Sequence, residues 1–520
     1  MPTVADLLIQ GVRETGTRRL FVAPGGGSTP MLLQSAEAQG LPFTHAHSEF
    51  AACVMAAVSG ELTGAPGVAV TGRGAMAAAP GVEHARRDRA PMIVLTDDEP
   101  AASPAFTGES SFDVSTLYDV LAKQSRRVTA DSAFRCIADA AQLSMQEPRG
   151  PVHLGLAPDV AGETALPVAT TPRSMPLAPP DSAALDAAAA LIEAADRPVV
   201  IAGLGCRAED AGWVRAFAEA SPAPVLTTFK AKGTMPEPHP LSLGVFTGGE
   251  LEAPIVRRAD LIVAVGLDAA EVEPRPWPYT AKVLHVARSA HTGEGYRPAV
   301  QVIGEPGLVF EELAPRLRGK ARADWDVAEV DRLKREPTRR PTAAGAGLTP
   351  ERVVQITREL TEAGTIATID GGARMLPAAL GWQAVARGEC LVPNGLATAG
   401  FALPAAVAAQ LVHPGRRVVC FTGVSGLMRV LAELETMARL TLPVVVIVLD
   451  AGGLSPADPA AIGRGFGLGA WEASDEEAAR RAIWSALDAN GPALVEARVA
   501  APGGYQRVAG RDTMSGRRRC

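Results

Sequence analysis

Hydrophobic positions along the chain alternate between two patterns. Short β-branched runs end in glycine, aspartate or arginine, and longer Ala/Leu-rich stretches repeat at helical spacing, the signature of parallel α/β units. In the first segment "RLFVAPGG", "GVAVTGRG", "PMIVLTDD" and "GPVHLGLAPDV" (150–160) are predicted strands, preceded by a charged amphipathic helix, "MPTVADLLIQGVRETG". "AGETALPVATTPRSMPLAPPD" (161–181) carries five prolines and no periodicity, as a linker does. A second block opens with the helix "SAALDAAAALIEAAD" and the strand "RPVVIAGLG", and runs through "APVLTTF", "ADLIVAVG", "KVLHVAR" and "VQVIG". The charged stretch 322–347 separates it from a third block. That block starts at "LTPERVVQITREL", with Thr349 as N-cap and Pro350 at the first helical position. Its predicted strands are "TIATID", "RRVVCFTG", "PVVVIVLD" and "PALVEARV". Residues 418 to 455 read as strand, tight turn, helix, strand.

The pattern predicts an α/β protein of three parallel-sheet domains. Their expected limits are 1–160, 182–320 and 349–505, with linkers 161–181 and 321–348 and a tail 506–520. Composition narrows the function classes. The chain has 520 residues, 47% of them hydrophobic and 21% charged, and a formal charge of −7. A nucleic-acid surface needs concentrated Lys and Arg, and the one compact basic run, Arg517-Arg518-Arg519, sits in the tail. The six cysteines form no CxxC pair, so neither a disulfide framework nor a zinc site is indicated. No apolar run reaches the roughly eighteen residues of a membrane span. The expected setting is cytoplasmic, with no nucleic-acid or membrane partner.

Three local constellations suggest chemistry. "GLGCRA" follows a strand and matches GxGxxA through Gly203 and Gly205, a turn that can cradle a dinucleotide or simply link strand to helix. "HAHSE" places His45, His47 and Glu49 on one face if the backbone is extended, a possible metal set or ordinary side chains beside a cleft. "TGVSGL" puts Ser425 on a strand-turn-helix, but it is not GxSxG and has no evident partner histidine.

Longer blocks, in order, resemble the thiamine-diphosphate-dependent enzymes, in the acetolactate synthase and 2-oxo acid decarboxylase branch. "FVAPGGGSTPMLLQSAE" and "HAHSEFAACVMAAVSGELTGAPGVAVTGRGAMAAAPGVEHARRDRAPMIVLTD" are similar to the pyrimidine-binding domain. "PVLTTFKAKGTMPEPHPLSLGVFTGG" and "RRADLIVAVGLD" match the central domain. "NGLATAGFALPAAVAAQLVHPGRRVVCFTG" and "LAELETMARLTLPVVVIVL" resemble the diphosphate-binding domain. The resemblance implies that Glu49 holds the position of the glutamate that activates the cofactor's pyrimidine. It carries cofactor-binding positions onto Gly25, Gly26, Gly72, Arg73, Gly74, Gly371, Gly372, Ala399, Gly423, Val424, Ser425, Asp450 and Ala451. It also implies FAD as a second possible cofactor near Gly203 and Gly205, although the arginine expected after the "AVG" strand is replaced by Leu267 and Asp268.

The departures concern the metal. The family's GDG turn is Gly423-Val424-Ser425 here, and its NN pair is Asp450-Ala451; the 27 positions from Val424 to Ala451 match the family spacing. Neither Val424 nor Ala451 offers an oxygen to Mg²⁺, which takes one or two protein oxygens plus phosphate oxygens and water. Ala399 replaces a bulky methionine, Arg73 replaces a proline, and only seven residues separate Asp450 from Asp458, where the family inserts a longer covering segment. The expectation is an acetolactate-synthase-like enzyme repurposed away from ordinary Mg²⁺-thiamine-diphosphate chemistry, acting on a small carbonyl or carboxylate compound as a homodimer or homotetramer. The alternatives are an FAD-dependent oxidoreductase or oxygenase and a non-catalytic binding or partner subunit.

Overall fold

The computed structural model describes residues 1–100, 114–166, 177–249, 251–272, 277–292, 295–317, 323–335, 347–372, 376–395, 398–452 and 457–500. The expected tail, much of both expected linkers and most of the stretch between Asp450 and Asp458 lie outside them.

Three six-stranded sheets form, each with inner strands that are nearly continuous apolar runs. The first contains β1 (Leu20–Val22), β2 (Phe43–His45), β3 (Gly67–Gly72), β4 (Met92–Asp97), β5 (Ser125–Arg127) and β6 (Pro151–Leu156), in the order β2-β1-β3-β4-β6-β5. The second contains β7 (Pro198–Ala202), β8 (Val225–Thr227), β9 (Ser242–Val245), β10 (Leu261–Val265), β11 (Lys282–Ala287) and β12 (Val300–Ile303), ordered β12-β11-β10-β7-β8-β9. The third contains β13 (Ile366–Ile369), β14 (Cys390–Leu391), β15 (Val418–Gly423), β16 (Val444–Asp450), β17 (Gly469–Ala473) and β18 (Ala493–Arg498), ordered β14-β13-β15-β16-β18-β17. The sheets are parallel, and helices cover both faces, so inner strands such as β3, β4 and β6 are buried along their whole length.

In each sheet the chain turns back past its first strand, which leaves a switch point between β1 and β3, between β7 and β10, and between β13 and β15; the first and third sheets also step back at the far edge, from β5 to β6 and from β17 to β18. Ligands of open α/β sheets bind beyond the strand carboxyl ends at such a point. The glycine turns singled out in the sequence fall there: Gly25, Gly26 and Gly72 to Gly74; Gly203 and Gly205; Gly371, Gly372 and Gly423.

The helix at the amino terminus and the Thr349 cap form as the sequence predicts, with the Thr349 hydroxyl accepting from the Arg352 amide at 3.2 Å. The segment after Gly423 differs. Instead of one helix it makes two, Val424–Arg429 and Glu433–Arg439. Tight three-residue turns, from Val430 N–H to Leu427 O and from Glu433 N–H to Val430 O, break the run.

Two compact units emerge. The described residues within Met1–Met175, Gly400–Gly415 and Gly426–Val444 make one, and the remainder of the described chain makes the other. In the first unit the helices Glu49–Thr63 and Ala402–Val412 pack together and are apolar almost all round, as wholly buried helices must be. In the second unit the β7–β12 sheet has a separate apolar core on each face. Among the described residues no helix is long and apolar enough to cross a membrane.

Candidate functional site

At the switch point of the first sheet, Glu49 opens the helix Glu49–Thr63. The Ser48 hydroxyl caps that helix by accepting from the Ala51 amide at 3.1 Å. A carboxylate in the first helical turn is favoured by the helix dipole. Glu49 is half-buried, and its carboxylate lies against Gly74, where a Cβ would come within 2.1 Å of Oε1. One turn on, burial first and the Glu49 charge second push the Cys53 thiol far above its ordinary range. The alternate-face geometry suggested for "HAHSE" is not formed. His45 ends β2, His47 lies in a turn and Glu49 is already helical, so the extended backbone that alternation needs stops before Glu49. Arg73 is exposed beside Gly74, and Gly25 and Gly26 are exposed beyond β1.

Four neighbours of this point, Gly27, Ser28, Thr29 and Asp97, were not evident in the sequence. Asp97 Oδ1, at the end of β4, accepts from the Ser28 amide at 3.0 Å and the Ser28 hydroxyl at 2.5 Å. Asp97 Oδ2 and Thr29 Oγ1 are buried without a hydrogen-bond partner among the described residues. Gly27, at φ +66°, must be glycine, because a Cβ would sit 1.7 Å from Asp97 Oδ2. The "TDD" ending of β4 was the only local signal.

The third sheet places Gly423, Val424, Ser425, Asp450 and Ala451 at the ends of adjacent strands β15 and β16. Val424 and Ala451 are half-buried, Ala451 packs against the apolar core, and neither supplies an oxygen. Asp450 Oδ1 accepts from the Gly452 amide at 2.8 Å. Asp370, ahead of Gly371 and Gly372, is buried and accepts from the Thr422 hydroxyl. Ser425 is exposed, and Ala399 is half-buried. Among the described residues no group of three His, Cys, Asp or Glu side chains is arranged to hold a metal ion. This donor set does not fit the usual magnesium grip on a diphosphate.

The central turn is closed by its own chain. Gly203 N–H donates to Val265 O at 2.8 Å, Leu204 N–H to Glu271 Oε2 at 2.7 Å, and Gly205 N–H to Gly266 O at 2.8 Å. Cys206 N–H donates to Gly203 O at 2.9 Å. These amides are therefore spent, and a GxGxxA grip on a ligand phosphate does not fit. Gly203 is glycine for packing, since its Cβ would lie 2.4 Å from Leu267 Cα. Glu271 also accepts from the Thr228 hydroxyl, and burial pushes its carboxyl up from about 4.5 to about 7. The folded state thus holds a proton that the unfolded state releases between those values, so this group's stabilisation is full below pH 4.5 and lost as pH rises through 7. Thermal melts from pH 5 to 7.5 should show wild type losing about 2–4 °C relative to Glu271→Gln across that window. A parallel pair of curves would refute the assignment.

The glycine turns at the three switch points thus lie beyond strand carboxyl ends, where open α/β sheets bind ligands. Sequence comparison identifies the class. The family models described as "Thiamine pyrophosphate enzyme" match as the N-terminal TPP binding domain over residues 2–115, the central domain over 185–313 and the C-terminal TPP binding domain over 371–455. The chain belongs to the thiamine-diphosphate-dependent enzymes, in their acetolactate synthase branch. It is 26% identical to acetolactate synthase isozyme 1 large subunit of Escherichia coli (strain K12), over 96% of this chain and 94% of that protein. It is 25% identical to the catabolic acetolactate synthase of Raoultella terrigena, over 94% of each. It is 28% identical to the acetolactate synthase large subunit of Parasynechococcus marenigrum (strain WH8102), over 95% of this chain and 87% of that protein.

Proposed function

We propose that this acetolactate-synthase-like enzyme has moved away from ordinary Mg²⁺-anchored cleavage or ligation of 2-oxo acids. It acts on a small carbonyl or carboxylate compound in the inherited cleft, which the resemblance puts between subunits of a homodimer or homotetramer. The observation that carries this reading is the pair Val424 and Ala451, at the ends of neighbouring strands, where the family places its metal oxygens. The retained chemical group is Glu49, whose carboxylate has no hydrogen-bond partner among the described residues and can exchange a proton with a bound molecule. A flavin held by Gly203 and Gly205 is not favoured, because the turn's amides are satisfied internally.

Calorimetric titration with thiamine diphosphate, with and without Mg²⁺, tests the reading. The expected result is weak binding that EDTA leaves unchanged. Tight, metal-dependent binding would overturn it. Mass spectrometry of small molecules released from freshly purified protein would identify the class of compound carried.

A further inference from the structure

The loop that delivers Glu49 is held by a short helix nearly four hundred residues away in sequence. Glu433, the first residue of the helix Glu433–Arg439, is 1% exposed, and its Oε1 accepts from the backbone N–H of His47 at 2.8 Å. Its other oxygen accepts from the Thr436 hydroxyl at 2.8 Å, which fixes the carboxylate's orientation. Two residues on, Glu435 Oε2 meets His47 Nε2 at 2.7 Å. Arg439 closes the ring, pairing with Glu435 at 3.1 Å and donating from a terminal nitrogen to the His45 carbonyl at 2.9 Å. The preceding amide, Ala46 N–H, goes to Val22 O at 2.9 Å, so the strand end and the helix share the backbone of residues 45 to 47 between them.

The members of this ring differ in weight. The His47–Glu435 and Arg439–Glu435 pairs are more than a third exposed, and such pairs contribute little. Glu433 is different, because a buried carboxylate that accepts a backbone N–H gives a directional, charge-assisted bond. Losing it would leave the His47 amide without that partner at a part-buried position, and the loop without its fixed tie to the helix.

We infer that Glu433 is a positioning residue for Glu49: through the His47 amide it sets the register in which the loop enters the helix Glu49–Thr63, and hence where the Glu49 carboxylate stands against Gly74. Glu435 and Arg439 trim the same loop from the surface. The inference rests on the reading of Glu49 as the proton-exchanging group of the cleft. It adds a residue that no local motif connects to that group, and it requires no bound cofactor.

Hydrogen exchange followed by peptide mass spectrometry on the full-length protein tests it, together with the rate at which a carbodiimide labels Glu49. In Glu433→Ala the amides of residues 46–50 should exchange about tenfold faster, as expected when a locally protecting bond is removed. The Glu49 labelling rate should change with them. Glu433→Gln should restore most of the protection, because its amide oxygen can accept the same N–H. A purely structural role would lower the melting temperature without that selectivity or rescue. If Glu433→Ala does not fold, Glu435→Ala with Arg439→Ala should give the same local effect in smaller measure. Exchange and labelling that stay at wild-type rates in a folded variant would overturn the inference. If the loop loosens as expected while Glu49→Gln leaves turnover and bound-ligand content unchanged, then the role given to Glu49 fails and the clasp stands.

Discussion

Val424→Asp combined with Ala451→Asn should raise the affinity for thiamine diphosphate at least tenfold, and should make it dependent on Mg²⁺. Each close pair of opposite charges is worth about 4 kcal/mol at an effective dielectric near 20, before desolvation is subtracted. A tenfold gain asks for only about 1.4 kcal/mol of that. The backbone positions are in place, because β15 and β16 are neighbours and Val424 and Ala451 follow their last residues. Either single substitution should gain less than half of the combined effect in free energy, since the metal needs both oxygens before it repays its own dehydration. Asp450 sets the sign for the wild type, because without a dication it repels a diphosphate. Isothermal titration of the four proteins in Mg²⁺ and in EDTA is sufficient. A double variant that binds no better than wild type would show that the diphosphate position has been misplaced.

How much of this site was visible beforehand follows from the range of the interactions. The inner strands were legible as unbroken apolar runs, since both their faces are covered. The strands not read, β2, β5, β9, β14 and β17, all lie at sheet edges, where a strand has one neighbour and a shorter or more polar sequence. Only β12 among the edges announced itself. The glycine turns were legible because a turn at a strand end is a local feature. What occupies those turns was not. Glu271 takes the Leu204 amide of a turn 67 residues earlier, Asp97 holds Ser28 across 69 residues, and Glu433 holds His47 across 386. No window of sequence contains both partners of any of these contacts. A motif such as GLGCRA therefore looked open to a nucleotide although its own chain had closed it.

The same reasoning gives a second large effect, in the packing that carries Glu49. Gly67→Ala should lower the apparent melting temperature by about 6 °C or more, whereas Gly212→Ala should leave it unchanged or raise it slightly. Both substitutions add one carbon. At Gly67, the first residue of β3, that carbon would lie 1.7 Å from the Ala56 carbonyl oxygen and 2.6 Å from its carbon. Those atoms belong to the backbone of the helix Glu49–Thr63, so no side chain can rotate away, and the helix itself must lift. A Cβ at Gly60, on the same helix, would meet the Pro91 carbonyl oxygen at 2.2 Å and the Gly67 amide nitrogen at 3.0 Å, so the helix rests on the strands at two bare glycines. Forcing one carbon into such a contact costs about 3 kcal/mol or more, because close-packed interiors do not yield locally. At Gly212, inside the helix Ala211–Ala220, nothing lies within 4 Å, and alanine gains up to about 1 kcal/mol in helix propensity. Lifting the helix also moves Glu49 away from Gly74, so Gly67→Ala should lose whatever chemistry Glu49 performs at temperatures where the protein is still folded. Thermal melts with ligand release measured at 25 °C decide it; equal melting temperatures for the two variants would show that the helix does not rest on the sheet at this point.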